Sequence, residues 1–144
     1  MKIARRFRFE AAHTLPHHDG RCSRLHGHSY ELELVFAGAV RRPAAGEPQS
    51  GFVADFGRIK RLVQQELIDP FLDHHELDRT LPQLPYSSAE FLSAWIMGWC
   101  MAHLDGHPEL GGITVIAARL WETPNSWAEA DRDDARALGF APPP

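Results

Sequence analysis

The sequence predicts an α+β protein with an antiparallel sheet that carries helices on one face. Three observations lead to this prediction: two strand-like segments come first, two helical periodicities follow, and two more strand-like segments come after them. Strands and helices that are grouped in this way favour an antiparallel sheet over a parallel one. The 144 residues, 44% of them hydrophobic, suffice for one core, so we expect residues 1–144 to form a single domain.

Four strands are indicated by their side-chain patterns. Residues 2–10 and 29–37 alternate between apolar and charged side chains, which is typical of half-buried strands. Residues 113–122 are rich in β-branched side chains, and 126–131 can return beside them after a turn. Residues 38–51 are rich in Pro, Gly and Ala without any periodicity, so we expect an exposed hairpin loop there.

Two helices are predicted between the second and third strands. The first covers residues 56–68, with Asp55 as its N-cap. The second covers residues 88–103, and the Ser and Glu at the two ends of residues 87–90 have the spacing of a capping box. We expect the chain to fray from about residue 137.

Composition argues against several functions and singles out histidine. A net charge of −4 without a long Lys/Arg run disfavours nucleic-acid binding. No apolar stretch approaches the ~20 residues of a membrane span, and the N-terminus shows no signal-peptide pattern. Two cysteines do not suggest a disulfide framework, so we expect a cytoplasmic protein. Seven of the nine histidines fall into three clusters, which points to metal or acid–base chemistry.

A metal site is predicted from His13, His26 and His28. His26 and His28 are two residues apart at the entry to a strand, and a strand places such residues on one face. If the first two strands form a hairpin, their joined ends bring His13 beside this pair. Three imidazoles with an open fourth position are the ligand set of catalytic zinc. The alternative is three polar strand-end histidines without a metal; we expect no ligand role for His17 and His18.

Three further groups are candidates for chemistry. Cys22, four residues before His26, is a fourth ligand, a buried small residue, or a nucleophile or base activated by a nearby cation. Asp73 and His74 form either a solvated turn or a carboxylate that orients an imidazole. Glu122, at the end of a strand, either faces solvent or grips the N–H groups of a ligand by a bidentate contact.

Four motifs, in this order, resemble one protein family. They are FEAAH at residues 9–13, CSRLHGH at 22–28, LDHH at 72–75 and WETP at 121–124. Together they resemble the 6-pyruvoyl-tetrahydropterin synthase family over residues 7–129. The short gap between the cysteine and the first histidine of the second motif is most similar to the bacterial 6-carboxy-5,6,7,8-tetrahydropterin synthase branch.

The resemblance implies a role for each candidate residue. Its zinc ligands are His13, His26 and His28. Its catalytic residues are Cys22 as the proton-transferring base, with Asp73 and His74 as acid–base partners. Its substrate-binding residues are Glu122 at the pterin ring and Ser88 and Glu90 beside the pterin pocket. Ala89 departs from the family pattern, because a hydroxyl residue is common at that position.

The resemblance also implies a fold, an assembly and a reaction. The tunnelling fold has a four-stranded antiparallel sheet with two helices on one face; three subunits close a barrel, trimers stack into a hexamer, and active sites lie between subunits. The implied substrate, 7,8-dihydroneopterin triphosphate, becomes 6-carboxy-5,6,7,8-tetrahydropterin and acetaldehyde in queuosine biosynthesis. The alternatives are the sister 6-pyruvoyl-tetrahydropterin synthase reaction and a non-catalytic zinc-binding module.

Overall fold

The computed structural model describes residues 1–141, which contain one sheet of five strands. The strands are β1 (Lys2–His13), β2 (His26–Ala37), β3 (His75–Glu76), β4 (Thr114–Thr123) and β5 (Ser126–Ala130), and they lie in the order β3-β1-β2-β4-β5. The helices are α1 (Phe56–Val63), α2 (Leu77–Thr80), α3 (Ala89–His103) and α4 (Arg132–Ala137). Within residues 1–141, no helix is long and apolar enough to span a bilayer.

The α+β class is confirmed, and the predicted four-stranded antiparallel sheet is corrected by one strand. The four predicted strands do pair antiparallel, β1 with β2, β2 with β4, and β4 with β5. β3 adds a fifth strand that runs parallel to β1 and pairs Ala11 with His75, so the sheet is mixed. A strand of two residues has no periodicity that a sequence could reveal. It forms because the chain is tied to β1 by the His74 N–H, which donates to the Glu10 carbonyl at 2.6 Å.

β1 and β2 form a long hairpin whose register is set by one apolar face. The pairing runs without a bulge from Lys2 opposite Ala37 to His13 opposite His26. The buried face of the hairpin consists of Phe7, Phe9, Tyr30, Leu32, Leu34 and Phe36. A slip of one residue would turn this whole row toward solvent, so burial specifies the register. The same register determines which side chains meet where the two strands are joined.

The helices begin as predicted in one case and differ in two others. Asp55 is confirmed as the N-cap of α1, because its carboxylate accepts two backbone N–H groups of the first turn. The helix does not end at 68 but continues from α1 as a π-helical segment, Gln64–Leu72. The capping box predicted for residues 87–90 is wrong: Ser88 is the N-cap residue of α3 and makes no side-chain cap bond. The hydroxyl of Ser87 is instead engaged by a distant carboxylate.

The C-terminal part of the described chain is helical and packed. α4 begins with a capping box between Asp131 and Asp134, and it follows the predicted fourth strand directly. Beyond it, the backbone of Phe140 lies against Gly98 of α3, and its ring contacts Phe91 with centroids 6.4 Å apart. The tail that we expected to fray from about residue 137 is therefore packed as far as Ala141. The rest of that expectation falls on residues 142–144, outside the described part of the chain.

Candidate metal centre and active site

Three histidines meet where β1 and β2 are joined, as the hairpin prediction requires. His13 lies opposite His26 in the register, and His28 lies opposite Ala11. One ring nitrogen of each histidine lies within 4.8 Å of the corresponding atoms of the other two. His13 is fully buried, while His26 and His28 are half-buried. Within residues 1–141, this is the one group of His, Cys, Asp or Glu side chains with such spacing.

Hydrogen bonds determine which ring nitrogens face the centre of this cluster. Nδ1 of His13 is 2.7 Å from the Ser87 carbonyl oxygen, and Nδ1 of His26 is 2.7 Å from that of Arg24. A carbonyl only accepts, so each Nδ1 carries the proton, and in a neutral ring the Nε2 atom then presents a lone pair. The two Nε2 atoms are 3.0 Å apart. Two lone pairs at that distance repel each other unless a proton or a metal ion lies between them.

His28 completes a donor set that suits a zinc ion. Its Nε2 atom is buried and has no hydrogen-bond partner in the described part of the chain. Burial lowers the pKa of His28; the Glu122 carboxylate opposes this change, and the neighbouring His13 and His26 add to it. The ring therefore stays neutral at neutral pH, which is the form that binds a metal. Together with His13 and His26 it provides three ring nitrogens close enough to bind one ion, and three histidines are a ligand set that fits zinc.

Glu122 and Tyr30 border the cluster. Oε1 of Glu122 is 3.6 Å from Nε2 of His13 and 3.9 Å from Nε2 of His28. A carboxylate at this position can receive the N–H groups of a ligand, as predicted, or approach a metal as a further ligand. The Tyr30 ring lies 5.5 Å from the His28 ring, and its buried hydroxyl has no partner among residues 1–141. Burial raises the pKa of Tyr30, so this hydroxyl remains a hydrogen-bond donor.

Asp73 and His74 are held against β1 by two hydrogen bonds, and a third contact joins them to each other. The Glu10 N–H donates to Oδ1 of Asp73 at 2.9 Å, and the His74 N–H donates to the Glu10 carbonyl at 2.6 Å. Oδ2 of Asp73 is 2.9 Å from Nδ1 of His74, so the carboxylate orients the imidazole. The bond from the Glu10 N–H lowers the pKa of Asp73. These contacts hold His74 in a left-handed conformation with φ 59°, which is costly for a residue other than glycine.

Of the two adjacent histidines, His74 has the accessible ring. Its side chain is 78% exposed, whereas Nε2 of His75 lies 3.1 Å from the Asp69 carbonyl. A cleft of about 410 Å³ is lined by His28 and by both His74 and His75, so the difference between the two lies in exposure and in the bond that engages His75. The geometry therefore favours His74 over His75 as an acid–base group.

Cys22 is separate from both groups within one chain. It lies half-buried in a 3-10 turn, Arg21–Ser23, and its carbonyl accepts a bond from the Leu15 N–H at 2.9 Å. It does not belong to the cluster of potential ligand atoms, so the geometry does not support the fourth-ligand interpretation. Over residues 1–141, its thiol makes no hydrogen bond to Asp73 or His74.

The start of α3 contributes to the site through a residue that sequence analysis assigned differently. Ser88 and Glu90 occupy the N-cap and first turn of α3, and their predicted role in substrate binding stays a prediction. Ser87 is 1% exposed and its carbonyl holds His13. Its hydroxyl donates to Asp78 at 2.6 Å. Sequence analysis missed both roles, because no pattern pairs residues 78 and 87 with residue 13.

The sheet face away from the helices carries a row of ion pairs, the ion-pair ladder, formed by Arg6, Glu31, Glu33, Arg119 and Glu129. Arg6 contacts Glu31 and Glu33, each at 2.7 Å, and Arg119 joins Glu33 at 3.1 Å to Glu129 at 2.6 Å. A cleft of about 610 Å³ lies on this face. Its lining includes Arg6, Arg8, Glu10, Glu31, Trp121 and Thr123. Because the arginines are paired with carboxylates, this face does not present the basic surface that nucleic acids require.

Solved structures first identify the fold. The chain is similar to Caenorhabditis elegans 6-pyruvoyl tetrahydropterin synthase, with a TM-score of 0.71, 22% identity, and 91% of this chain and 94% of that chain covered. It is also similar to the Plasmodium vivax 6-pyruvoyl tetrahydropterin synthase, with a TM-score of 0.64, 20% identity and coverage of 92% and 98%. At this level of identity, the likeness establishes the shared fold.

Sequence comparison then establishes the family. The family model for 6-pyruvoyl tetrahydropterin synthase matches residues 2–133, and the chain belongs to this family. A Synechocystis protein named 6-carboxy-5,6,7,8-tetrahydropterin synthase is 40% identical over 79% of this chain and 84% of its own length. A Haemophilus influenzae protein of the same name is 29% identical over 89% of this chain and 96% of its own.

Proposed function

We propose that this chain is a zinc-dependent 6-carboxy-5,6,7,8-tetrahydropterin synthase of queuosine biosynthesis in the cytoplasm. Its substrates are 7,8-dihydroneopterin triphosphate and one molecule of water, and its products are 6-carboxy-5,6,7,8-tetrahydropterin, acetaldehyde and triphosphate. Family membership and the names of the two similar proteins support this class of reaction. The observation that carries the proposal is the group of three histidine nitrogens within 4.8 Å of one another, with Nε2 of His13 and Nε2 of His26 3.0 Å apart, because such a group is suited to hold one metal ion.

The residues of the metal centre hold the reacting end of the substrate. Zinc, when bound, supplies Lewis acidity to the hydroxyl groups of the pterin side chain. His13, His26 and His28 bind the ion as neutral imidazoles, and two of them are kept in the correct tautomer by backbone carbonyls. Glu122 anchors the pterin ring by accepting its N–H groups in a charge-assisted contact.

Proton transfer is the task of Cys22, His74 and Asp73. The Cys22 thiolate removes a proton from the substrate side chain, and His74 passes protons onward while Asp73 keeps its ring oriented. Within one chain the thiol has no hydrogen bond to this pair. We therefore propose that Cys22 meets Asp73 and His74 of a neighbouring copy. The 78% exposure of the His74 side chain suits a contact across a subunit interface.

A homo-oligomer, either a trimer or a hexamer, follows from the same proposal. The strand at one end of the sheet, β5, has an unpaired edge in a single chain, and Trp127 on it is 54% exposed. An open sheet edge promotes association with another chain. Closing several sheets into one barrel covers these edges and encloses the ion-pair ladder.

The decisive experiment is product analysis with the purified, zinc-loaded protein and 7,8-dihydroneopterin triphosphate. Mass spectrometry should detect 6-carboxy-5,6,7,8-tetrahydropterin and acetaldehyde. Removing zinc with a chelator should abolish turnover, and adding zinc back should restore it. A 6-pyruvoyl-tetrahydropterin product would assign the sister reaction to the same site. If the folded, zinc-loaded protein forms neither product, both reactions are rejected and a non-catalytic zinc-binding module is favoured.

A further inference from the structure

A single carboxylate behind the metal centre joins two distant parts of the chain. Oδ2 of Asp78 accepts the Thr14 N–H at 2.7 Å, and Oδ1 accepts the Ser87 hydroxyl at 2.6 Å. Thr14 directly follows His13 at the end of β1. Ser87 supplies the carbonyl that accepts the Nδ1–H of His13. Asp78 therefore fixes both the backbone that carries this imidazole and the carbonyl group that orients its ring.

His13 depends on this connection in a way that His26 does not. The carbonyl that holds His26 belongs to Arg24, two residues earlier, so the contact is local. The carbonyl that holds His13 belongs to Ser87, 74 residues further along the chain. Ser87 lies in an irregular segment before α3, and the N-cap of that helix makes no side-chain bond. The position of the carbonyl therefore depends on the Ser87 hydroxyl, which donates to Asp78 at 2.6 Å and lies farther, at 3.3 Å, from the Thr14 carbonyl oxygen.

The burial of these groups makes the connection costly to break. His13 is fully buried and Ser87 is 1% exposed, so neither can exchange a lost partner for solvent without local rearrangement. If the Ser87 carbonyl moves, the proton of the His13 ring is no longer held on Nδ1. The neutral ring can then place the proton on Nε2, and that tautomer has no lone pair for the metal.

We propose that Asp78 and Ser87 are positioning residues of the metal centre, which set its zinc affinity by holding the rotamer and tautomer of His13. This inference rests on the proposed zinc site and assigns two residues that do not touch the ion. Partners behind a metal-bound histidine typically change metal affinity by about 10–100-fold when they are removed. The carboxylate acts here through a hydroxyl and a backbone carbonyl rather than by direct contact with the ring.

The test measures zinc affinity by competition with a chromophoric chelator in the full-length chain. Asp78→Ala and Ser87→Ala should each weaken zinc binding by about 10–100-fold. The double variant should bind zinc as tightly as the weaker-binding single variant, because both substitutions break the same hydrogen bond between Ser87 and Asp78. The visible spectrum of the Co²⁺-loaded variants should also change, since the position of one ligand is altered.

Two further variants separate positioning from general stability. Asp78→Asn should bind zinc almost as tightly as the wild type: its amide oxygen can accept the Thr14 N–H, and its amide group can donate to Ser87, whose hydroxyl then turns to the Thr14 carbonyl 3.3 Å away. Asp105→Ala is the matched control. Asp105 also joins two segments through both oxygens, at 2.8 Å to the Val115 N–H and at 2.6 Å to Arg132. Its loss should lower thermal stability and leave zinc affinity unchanged.

The outcomes distinguish this inference from the proposed function. One contrary result is that Asp78→Ala and Ser87→Ala bind zinc as tightly as the wild type and lose stability as Asp105→Ala does. That result would show that the hydrogen bonds of Asp78 only stabilise the fold, and it would overturn the inference. Additive losses in the double variant would overturn the shared mechanism. If Asp78→Ala does not fold, Ser87→Ala decides alone. Failure of the wild type to bind zinc would instead reject the metal centre itself, and the inference with it.

Discussion

Main-chain carbonyls set the orientation of the histidine centre. Those of Arg24 and Ser87 each accept an Nδ1–H, and a ring that rotates loses a bond worth about 1 kcal/mol. Cys22 and Glu122, for which we propose contacts with the substrate, do not accept a hydrogen bond from these rings. Substitutions of these two residues should therefore change chemistry or affinity while the fold is retained.

Replacing Cys22 by Ala should lower kcat by ~10²–10⁴-fold, which is the usual contribution of a general base, and should leave zinc bound. The 3-10 turn that contains Cys22 is held by its backbone carbonyl, so Ala preserves it. Steady-state kinetics and the zinc content of the purified variant measure the two effects. Cys100→Ala, in the core of α3, is the control and should change stability rather than turnover. Loss of zinc from the Cys22 variant would identify the thiol as a ligand.

Replacing Glu122 by Gln should lower kcat/KM by about 10–100-fold, because a charge-assisted contact to the pterin N–H groups becomes a neutral one. Zinc affinity should be unchanged. Glu109→Gln, which removes a carboxylate paired with Arg61 outside the site, serves as the control. A large fall in zinc affinity in the Glu122 variant would show that its carboxylate, 3.6 Å from Nε2 of His13, is a fourth ligand.

The stability contribution of Asp73 should depend on pH in a defined direction. The Glu10 N–H lowers the pKa of Asp73 in the folded chain below its ordinary value of about 3.9. The ionised form is thus favoured by folding, so this contribution is fully present above about pH 3.9 and is lost as the pH falls through the lowered pKa. In chelator-treated samples, urea unfolding should show Asp73→Asn less stable than the wild type at pH 7 and a smaller difference near pH 3. A difference that is constant with pH, or equal to that of Asp19→Asn, would contradict this.

Among the elements, the β1–β2 hairpin and the π-helical segment bring the site together. The hairpin register places His13 opposite His26. The segment Gln64–Leu72 ends where the Asp73 N–H donates to the Ile68 carbonyl at 2.8 Å. The next residue, His74, bonds to Glu10 of β1, so Asp73 and His74 lie at the edge of the hairpin. The candidate acid–base pair and the candidate metal ligands are therefore positioned by two elements that meet at Glu10.

The packing of α3 against the C-terminal segment predicts an unusual response to Gly98→Ala. In a helix interior this substitution normally stabilises by about 0.5–1 kcal/mol. Here a Cβ would overlap the carbonyl and Cβ of Phe140, so we expect a net loss of about 1–3 kcal/mol in urea unfolding. The same substitution in a chain that ends at Leu138 is the control and should be neutral or stabilising. A stabilised full-length variant would show that the C-terminal segment does not pack on α3.

For the whole molecule, the sheet face that carries the ion pairs is not covered by helices, and we expect association of several copies to cover it. Its ion pairs span four strands, and the Arg119 guanidinium lies 4.9 Å from the centre of the Trp127 ring. A charged and aromatic face of this kind, beside an open edge at β5, is expected to be enclosed when copies of the chain assemble.

Replacing Trp127 by Glu should shift the protein from a trimer or hexamer to smaller species in light scattering coupled to gel filtration. The reason is that assembly would bury a further carboxylate beside Arg119, which already pairs with Glu33 and Glu129. Turnover should fall together with the oligomeric mass if Cys22 acts with His74 of a neighbouring copy. Val40→Glu, a substitution of an exposed apolar residue in the loop before α1, is the control and should leave the mass unchanged. A monomeric wild type with full activity would reject the inter-subunit site.

The sequence alone determined most of the sheet and the centre of the site. Alternation over 2–10 and 29–37 identified β1 and β2, and the pairing of their ends placed His13, His26 and His28 together. Asp55 was correctly identified as the residue at which a helix starts. These features were predictable because strand alternation, helix capping and hairpin pairing are local patterns that repeat over several residues.

Only the tertiary structure decided the parts that depend on contacts between distant residues. β3 exists because residues 74–76 bond to β1, and the two residues of that strand leave no pattern of their own. His74 is distinguished from His75 by which ring a carbonyl engages. The carboxylate of Asp78 and the hydroxyl of Ser87 reach His13 through bonds between segments far apart in the chain. Single hydrogen bonds of this kind follow from how packed elements meet, and no periodicity in a sequence records them.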